Sequence, residues 1–253
     1  MTLLFHTDIG HDPDDVIALS YLLERGYNPD YITISPGFTA QCDIVYGILR
    51  EYGRMPYPMI YRCTDKDDSK YEPGKHRQLM STGLVYDRLP NSFCVKDAIF
   101  IGPAKNMGSR LKCDSLYFQG GYSPNSVKPL EKFKGLTHVQ SFNPSGARDD
   151  FKSLLCSDSI NKKYFIGKNV CHGFTKSDLI KSWSPDSIRV RRFFDQLEPT
   201  KAMHDVLACM IYTGEIKPIW EQAKPVFDGL KMSTEPTNEE IYSLIGLERD
   251  EKE

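Results

Sequence analysis

The chain has 253 residues, 40% of them hydrophobic and 26% charged, a composition typical of a globular protein long enough to bury one large core. Its formal net charge is −2 and its acids and bases are interspersed, so the sequence lacks the basic surface that binds nucleic acid or an anionic membrane. No apolar run approaches the roughly 20 residues that cross a bilayer, and residues 1–8 lack the basic region and cleavage site of a signal peptide.

Strand-like and helix-like segments alternate along the chain, a pattern typical of a parallel sheet covered by helices. Strands are predicted at Thr2–Thr7, Tyr31–Ser35, Pro58–Tyr61, Asp97–Ile101, Ser115–Phe118 and Tyr164–Ile166. Helices are predicted at Asp14–Arg25, Thr39–Tyr52, Arg148–Cys156, Lys176–Trp183 and Asp205–Tyr212, with a short helix after Gly102-Pro103. The polar stretch Thr64–His76 is predicted to be a surface loop or lid, and the last ten or so residues to be frayed. We therefore expect one α/β domain over residues 1–253, with an open, mostly parallel, Rossmann-like sheet and helices on both faces.

The number and spacing of the cysteines indicate the redox state of the compartment in which the protein works. The seven cysteines are odd in number, scattered and without a CxxC pair, which favours reduced thiols and a cytoplasmic protein over a disulfide framework or a zinc site. We expect them to be small buried hydrophobic residues.

The most informative segment is the acidic loop, residues 6–15 (HTDIGHDPDD), which joins the first predicted strand to the first predicted helix. Ligands of open α/β sheets bind at the carboxyl ends of the strands, where this loop begins. Four carboxylates so close together repel one another unless a cation neutralises them, and a hard cation with oxygen ligands suits them best. In a purely structural interpretation, Asp14 caps the helix and Asp15 is an acid of its first turn, without any metal. That interpretation leaves Asp8 and Asp12 unexplained.

The acidic loop alone leaves the reaction open. A similar loop follows the first strand in haloacid-dehalogenase-type phosphatases and in response-regulator receivers. A phosphatase that used Asp8 as its nucleophile would need a second carboxylate two residues later, where this chain has Gly10.

Several segments resemble motifs of one enzyme family, in the family's order. Asp8-Ile9-Gly10 followed by residues 14–19 (DDVIAL) resembles the N-terminal signature of the inosine-uridine nucleoside hydrolases, although the loop is longer by two residues. The later matches are residues 101–106 (IGPAKN), 119–121 (QGG), 142–143 (FN), 169–172 (NVCH) and 204–208 (HDVLA). Each motif is weak alone, but together they cover roughly residues 3–212.

The resemblance implies a calcium-dependent hydrolase that cleaves the N-glycosidic bond of a nucleoside or related ribosyl compound. It implies a small-molecule substrate and a homodimer or homotetramer, without nucleic acid or membrane partners. The implied calcium ligands are Asp8, Asp15, the backbone carbonyl of Lys105, and Asp205. The implied catalytic residues are Asp8 as general base and His204, which assists the departing base. The implied sugar-contacting positions are Asp14, Asn143 and Ser141.

The sugar-contacting set departs from the family pattern. Ser141 stands where the family has a glutamate, and Gly37 and Gly135 fall where it has asparagines. Two interpretations therefore stay open: a hydrolase with an altered sugar preference, which could extend to deoxy or 5′-phosphorylated compounds, or a non-catalytic relative that keeps the calcium site. Lys105 and Arg148 are the cations that the sequence offers for neutralising such a phosphate.

Overall fold

A computed structural model describes residues 2–53, 55–64, 71–83, 86–222 and 240–248. These residues form a nine-stranded sheet in the order β4-β3-β2-β1-β5-β6-β7-β9-β8. The strands are β1 (Leu3–Thr7), β2 (Tyr31–Ile34), β3 (Met59–Arg62), β4 (Asp87–Arg88), β5 (Phe93–Phe100), β6 (Leu111–Gln119), β7 (Ile160–Ile166), β8 (Pro218–Glu221) and β9 (Ile241–Leu247). The α-helices are α1 (Asp14–Glu24), α2 (Thr39–Glu51), α3 (Phe142–Gly146), α4 (Arg148–Leu155), α5 (Lys168–Cys171), α6 (Lys176–Leu179), α7 (Ile188–Asp195) and α8 (His204–Thr213).

The sheet is parallel except at one edge, where β8 pairs antiparallel with β9. Strand β1 lies between β2 and β5, with Phe5 opposite Ile32 on one side and Ile99 on the other. The chain leaves β1 toward β2 and later returns on the other side of β1 to form β5, so the strand order reverses there. In open α/β sheets such a switch point opens a crevice at the carboxyl ends of the strands.

Two apolar clusters form the core of the described residues, and β1 contributes Phe5 to one and Leu4 to the other. The first cluster packs α1, α2, α7 and α8 together. Helix α1 is buried along nearly its whole length and packs against α8, α2 and α7. Packing these two helices side by side brings their N-terminal residues to the same end of the sheet.

The predicted strands and the five predicted long helices are confirmed, with ends shifted by up to four residues and with α6 shorter than expected. The short helix predicted after Gly102-Pro103 is wrong, because this segment forms turns and Asn106 adopts a left-handed φ of 60°. The sequence did not predict β4, β8, β9, α3, α5 or α7.

The remaining sequence predictions have mixed outcomes. Part of the predicted loop or lid lies outside the described residues, at 65–70, and its last residues begin a 3-10 helix at Gly74–Leu79. The prediction of a frayed C-terminal end is wrong for the residues up to Leu247, because they belong to β9. Residues 249–253 are outside the described part. All seven cysteines are free and five are buried, but Cys94 is exposed. None of the helices in the described ranges is long and apolar enough to cross a membrane.

Candidate active site

A cavity of about 410 Å³ opens where the carboxyl ends of β1, β5, β6 and β7 meet the N-terminal end of α8. Its size is within the range of small-molecule sites. The residues that line it are Asp8, His11, Asp12, Asp14, Asp15, Ile101, Gln119, Ser141, Phe142, Asn143, Lys168, His172, His204 and Asp205. Most of them are polar, and they come from six separate parts of the chain.

The acidic loop is fixed by buried hydrogen bonds. The Thr7 hydroxyl donates to Asp15 Oδ1 and accepts from the Ile9 N–H at 3.0 Å. The Gln41 amide group, in the first turn of α2, donates to the Ile9 carbonyl at 2.8 Å. Gly102, after β5, lets the loop approach closely, because a Cβ there would lie 2.6 Å from the Asp8 nitrogen.

Three buried carboxylates form the centre of the site. Asp14, Asp15 and Asp205 each offer an oxygen within 4.8 Å of the other two. Asp14 Oδ2 accepts from the backbone N–H groups of His204 at 3.1 Å and Asp205 at 3.4 Å, so the first turn of α1 caps α8. Asp14 Oδ1 is buried without a hydrogen bond, and its nearest cation is Lys201 Nζ at 3.8 Å.

The carboxylates resist ionisation in this arrangement. Burial, together with repulsion from Asp12, raises the pKa of Asp14 to about 8, and burial raises the pKa of Asp8 to about 7. Burial and the neighbouring acids also raise the pKa values of Asp15 and Asp205 well above the ordinary range. A divalent cation would relieve this repulsion and supply a partner for Asp14 Oδ1. A cluster of hard oxygen donors therefore fits a cation such as calcium or magnesium.

Asp12 behaves differently because it is partly exposed and forms an ion pair with Lys201. Partial burial would raise the pKa of Asp12, but its interactions with Asp14 and Lys201 outweigh that effect and lower it. Asp12 is thus an ionised carboxylate with its own counter-charge.

Two histidines lie side by side in the cavity. The ring centroids of His172 and His204 are 4.3 Å apart, and the Nε2 atom of each is buried without a hydrogen bond. Burial, reinforced by nearby lysines, lowers the pKa of His204 to about 4; burial, His204 and the lysines lower that of His172 to about 3. Both rings are therefore neutral at pH 7.

The structure brings together every predicted site residue except Lys105. Asp8, Asp14, Asp15, Ser141, Asn143, His204 and Asp205 all line the cavity. Lys105 lies in the turn after β5, outside the cavity lining, and its N–H donates to the Pro103 carbonyl at 2.7 Å. The Asn143 amide nitrogen already donates to the Ile101 carbonyl at 2.8 Å and to Gln119 Oε1 at 2.6 Å. A sugar hydroxyl would therefore meet the side-chain oxygen of Asn143.

The two glycines at the family's asparagine positions have different backbone settings. Gly37 has φ of +105°, and a Cβ there would lie 2.8 Å from the Thr64 carbonyl oxygen, so the backbone itself excludes a side chain. Gly135 has φ of +76° with open space around it, and it does not line the cavity.

Sequence reasoning missed several residues of this site. Lys168 and His172 line the cavity, and Gln41 holds the acidic loop, but none of them had been given a role. The motif 169–172 contained His172, which was the one available signal. Arg148, considered for phosphate binding, is exposed at the start of α4 and does not line the cavity.

Comparisons with known proteins find similar folds but no similar sequences. No family model matches the chain, and no curated protein matches it in sequence. The structure is similar to an inosine-uridine preferring nucleoside hydrolase from Bacillus anthracis, with 11% identity, 98% of this chain and 95% of that chain covered, and a TM-score of 0.63. It is also similar to a purine-preferring ribonucleoside hydrolase from Gardnerella vaginalis, with 14% identity, coverages of 98% and 94%, and a TM-score of 0.58. An inosine-guanosine nucleoside hydrolase matches with 12% identity, coverages of 97% and 94%, and a TM-score of 0.58. Over nearly its whole length, the chain has the fold of the nucleoside hydrolases.

Proposed function

We propose that the protein hydrolyses the N-glycosidic bond of a nucleoside or related ribosyl compound and requires calcium to do so. One fold hosts many activities, so the site and not the fold carries this proposal. The observation that carries it is the buried cluster of Asp14, Asp15 and Asp205 beside a pair of neutral histidines. The similarity to enzymes described as nucleoside hydrolases supports the same reaction class.

The proposed metal ligands are Asp8, Asp15 and Asp205; the Lys105 carbonyl, the fourth ligand implied by the resemblance, stays a prediction because Lys105 lies outside the cavity lining. Asp14 lies in the same cluster, and its Oδ1, which makes no hydrogen bond with the described residues, is available to the ion or to a sugar hydroxyl. When bound, the ion would orient the sugar hydroxyls and lower the pKa of a bound water. Both calcium and magnesium bind oxygen donors, and calcium is proposed because the sequence motifs resemble those of a calcium-dependent family.

Cleavage of the C1′–N bond requires a proton acceptor for the attacking water. Water adds its oxygen to C1′, and its proton passes to the Asp8 carboxylate. Asp8 lines the cavity beside the other carboxylates, and a bound cation would keep it ionised so that it can accept this proton. The electron pair of the broken bond leaves with the base, and positive charge develops on the sugar as in glycoside hydrolysis.

The leaving base then needs a hydrogen-bond donor. His204 Nε2 is buried in the cavity without a partner. As a neutral imidazole, His204 can donate an N–H hydrogen bond to the ring nitrogen of the departing base and stabilise its negative charge, and the proton lost by the attacking water then reaches the base through solvent.

The experiment is a panel of nucleosides assayed for free base and reducing sugar, with calcium and after chelation. We expect base release that disappears with the chelator and returns with calcium. Release of inorganic phosphate from phosphorylated compounds without free base would indicate a phosphatase instead.

A non-catalytic relative that binds calcium and ligand is the second candidate. It is favoured by Ser141, which is buried at 6% exposure in the cavity wall, where it has no charge to hold a sugar hydroxyl. Calorimetry that detects calcium binding, together with no base release across the whole panel, would support this second function.

A further inference from the structure

The cavity holds basic side chains as well as the carboxylates. Lys168, the first residue of α5, lines the cavity and is half-buried. Within the described part of the chain, no carboxylate forms an ion pair or a hydrogen bond with its ammonium group. Burial lowers the pKa of Lys168, as expected for a cation withdrawn from water without a counter-charge.

A second lysine fixes the proton of His172. Lys132 Nζ lies 2.8 Å from His172 Nδ1. An ammonium group can only donate, so Nδ1 accepts, and the neutral ring carries its proton on Nε2. That Nε2–H is buried without an acceptor in the wall of the cavity. His172 thus presents an unused donor to any ligand.

The third cation near the cavity, Lys201, already has carboxylate partners. Lys201 forms an ion pair with Asp12 and lies 3.8 Å from Asp14 Oδ1. Two donors in the cavity therefore have no acidic partner among the described residues, the ammonium group of Lys168 and the Nε2–H of His172, whose Nδ1 accepts from Lys132. A buried donor or cation without a partner costs free energy, and a negatively charged acceptor relieves both costs at once.

We propose that Lys168 and His172 bind an anionic group of the substrate, so that the substrate is a negatively charged N-glycoside and not a neutral nucleoside. This inference rests on the proposed function. The charge could be a phosphate on the sugar or a carboxylate on the base, since both offer oxygen acceptors to an ammonium and an imidazole N–H. A cavity of about 410 Å³ has room for a ligand of this size.

The test measures binding of ligands that cannot be cleaved, by calorimetry in the presence of calcium. Ribose is compared with ribose 5-phosphate, and uracil with orotate. We expect one anionic ligand to bind about tenfold to a hundredfold more tightly than its neutral partner, as charged hydrogen bonds predict. The pair that shows this difference identifies the position of the charge.

Two lysine variants distinguish binding of the anionic ligand at Lys168 from its attraction to the bound calcium ion. Lys168→Met should bring the affinity ratio of the anionic and neutral ligands close to one, because the anionic ligand loses its counter-charge. Lys112→Met removes an exposed lysine at the opposite end of β6 from the cavity and should keep the wild-type ratio. Equal affinity within both ligand pairs in the wild type, or an unchanged ratio in Lys168→Met, overturns the inference.

Failure of the inference and failure of the proposed function give different results. If an anionic ligand binds through Lys168 but no charged N-glycoside releases its base, the hydrolase proposal fails and the anion site stands. If neutral nucleosides are cleaved with the same kcat/KM as charged ones in both wild type and Lys168→Met, the hydrolase stands and the anion site is wrong.

Discussion

The His204 ring is held by its own backbone and by a neighbouring ring. The backbone N–H of His204 donates to Asp14 Oδ2 at 3.1 Å, and the ring centroid of His204 lies 4.3 Å from that of His172. This anchoring leaves Nε2 without a protein partner. An imidazole placed in this way can serve a ligand without reorganising the helix that carries it.

The His204→Ala variant tests the leaving-group role. We expect kcat to fall by about 10² to 10³ on nucleosides whose base leaves with negative charge on its ring nitrogen, the range for one lost hydrogen-bond donor to a developing anion. A nitrophenyl riboside should lose little, because nitrophenolate leaves without protonation. Equal losses on the two substrates in steady-state assays would show that His204 does something else.

Asp8 and Asp205 should be required for the metal. Removing the charge of either carboxylate weakens an oxygen cluster that the ion needs, so Asp8→Asn and Asp205→Asn should abolish measurable calcium binding in calorimetry. Asp149→Asn, at an exposed aspartate of α4, is the matched control and should bind calcium like the wild type. Unchanged affinity in both cavity variants contradicts the proposed ligand set.

At the scale of elements, Gln41 joins two loops at the carboxyl edge of the sheet. Its side-chain oxygen accepts from the N–H groups of Gly37 at 3.1 Å and Phe38 at 2.9 Å, and its amide nitrogen donates to Ile9. The side chain is only 1% exposed, so water cannot replace these bonds easily. The first turn of α2 thereby positions the loop that carries Asp8.

Gln41→Ala should therefore destabilise the protein and loosen the site. Leaving buried N–H and carbonyl groups unpaired costs about 1–3 kcal/mol, so urea unfolding should show a loss of that size in the free energy of unfolding. Calcium affinity should fall as well, because the loop is no longer held. Gln78→Ala, at an exposed glutamine, is the control. A stability and a calcium affinity like those of the wild type would show that the loop holds itself.

The acidic loop and α8 could be predicted because their signals are local. Carboxylates crowded between an apolar strand and an apolar helix are costly, and that cost is visible in residues 8–15. Lys168 and Gln41 gave no such signal, because only the sheet order brings α5 and α2 to the same edge, and His172 was indicated only by the motif at residues 169–172. Strand β9 was missed because its final residues adjoin a charged segment, and a charged chain end predicts frayed structure.

At the scale of the molecule, the reversal of strand order at β1 decides where the site lies. The side chains that follow β1 meet those that follow β5, β6 and β7, and α8 closes the cavity. The fold thus gathers five aspartates into one region, and they are held there by hydrophobic packing of α1 against α8. Stability and metal binding must then be coupled, because this packing keeps the carboxylates together whether or not a cation is present.

This coupling gives a pH dependence with a definite sign. Asp8 and Asp14 have folded-state pKa values raised to about 7 and about 8, so the folded protein holds protons that the unfolded chain releases. Stability from such groups is present at low pH and is lost as the pH rises through the folded-state values. The buried histidines act in the opposite direction, because their lowered pKa values add stability as the pH rises, but only up to about 6.5, the ordinary value. Between pH 6.5 and 8 the carboxylates should dominate.

We therefore expect the melting temperature of the chelated protein to fall between pH 6.5 and pH 8. Calcium should raise the melting temperature at both values, since it binds only the folded site, and the rise should be larger at pH 8, where fewer protons must be displaced. Thermal melts in chelator and in calcium at the two pH values measure both effects, and Asp8→Asn should lose the calcium-dependent rise. A calcium effect of equal size at pH 6.5 and pH 8 would mean that the ion does not compete with protons for these carboxylates, and its site would then have to be sought elsewhere.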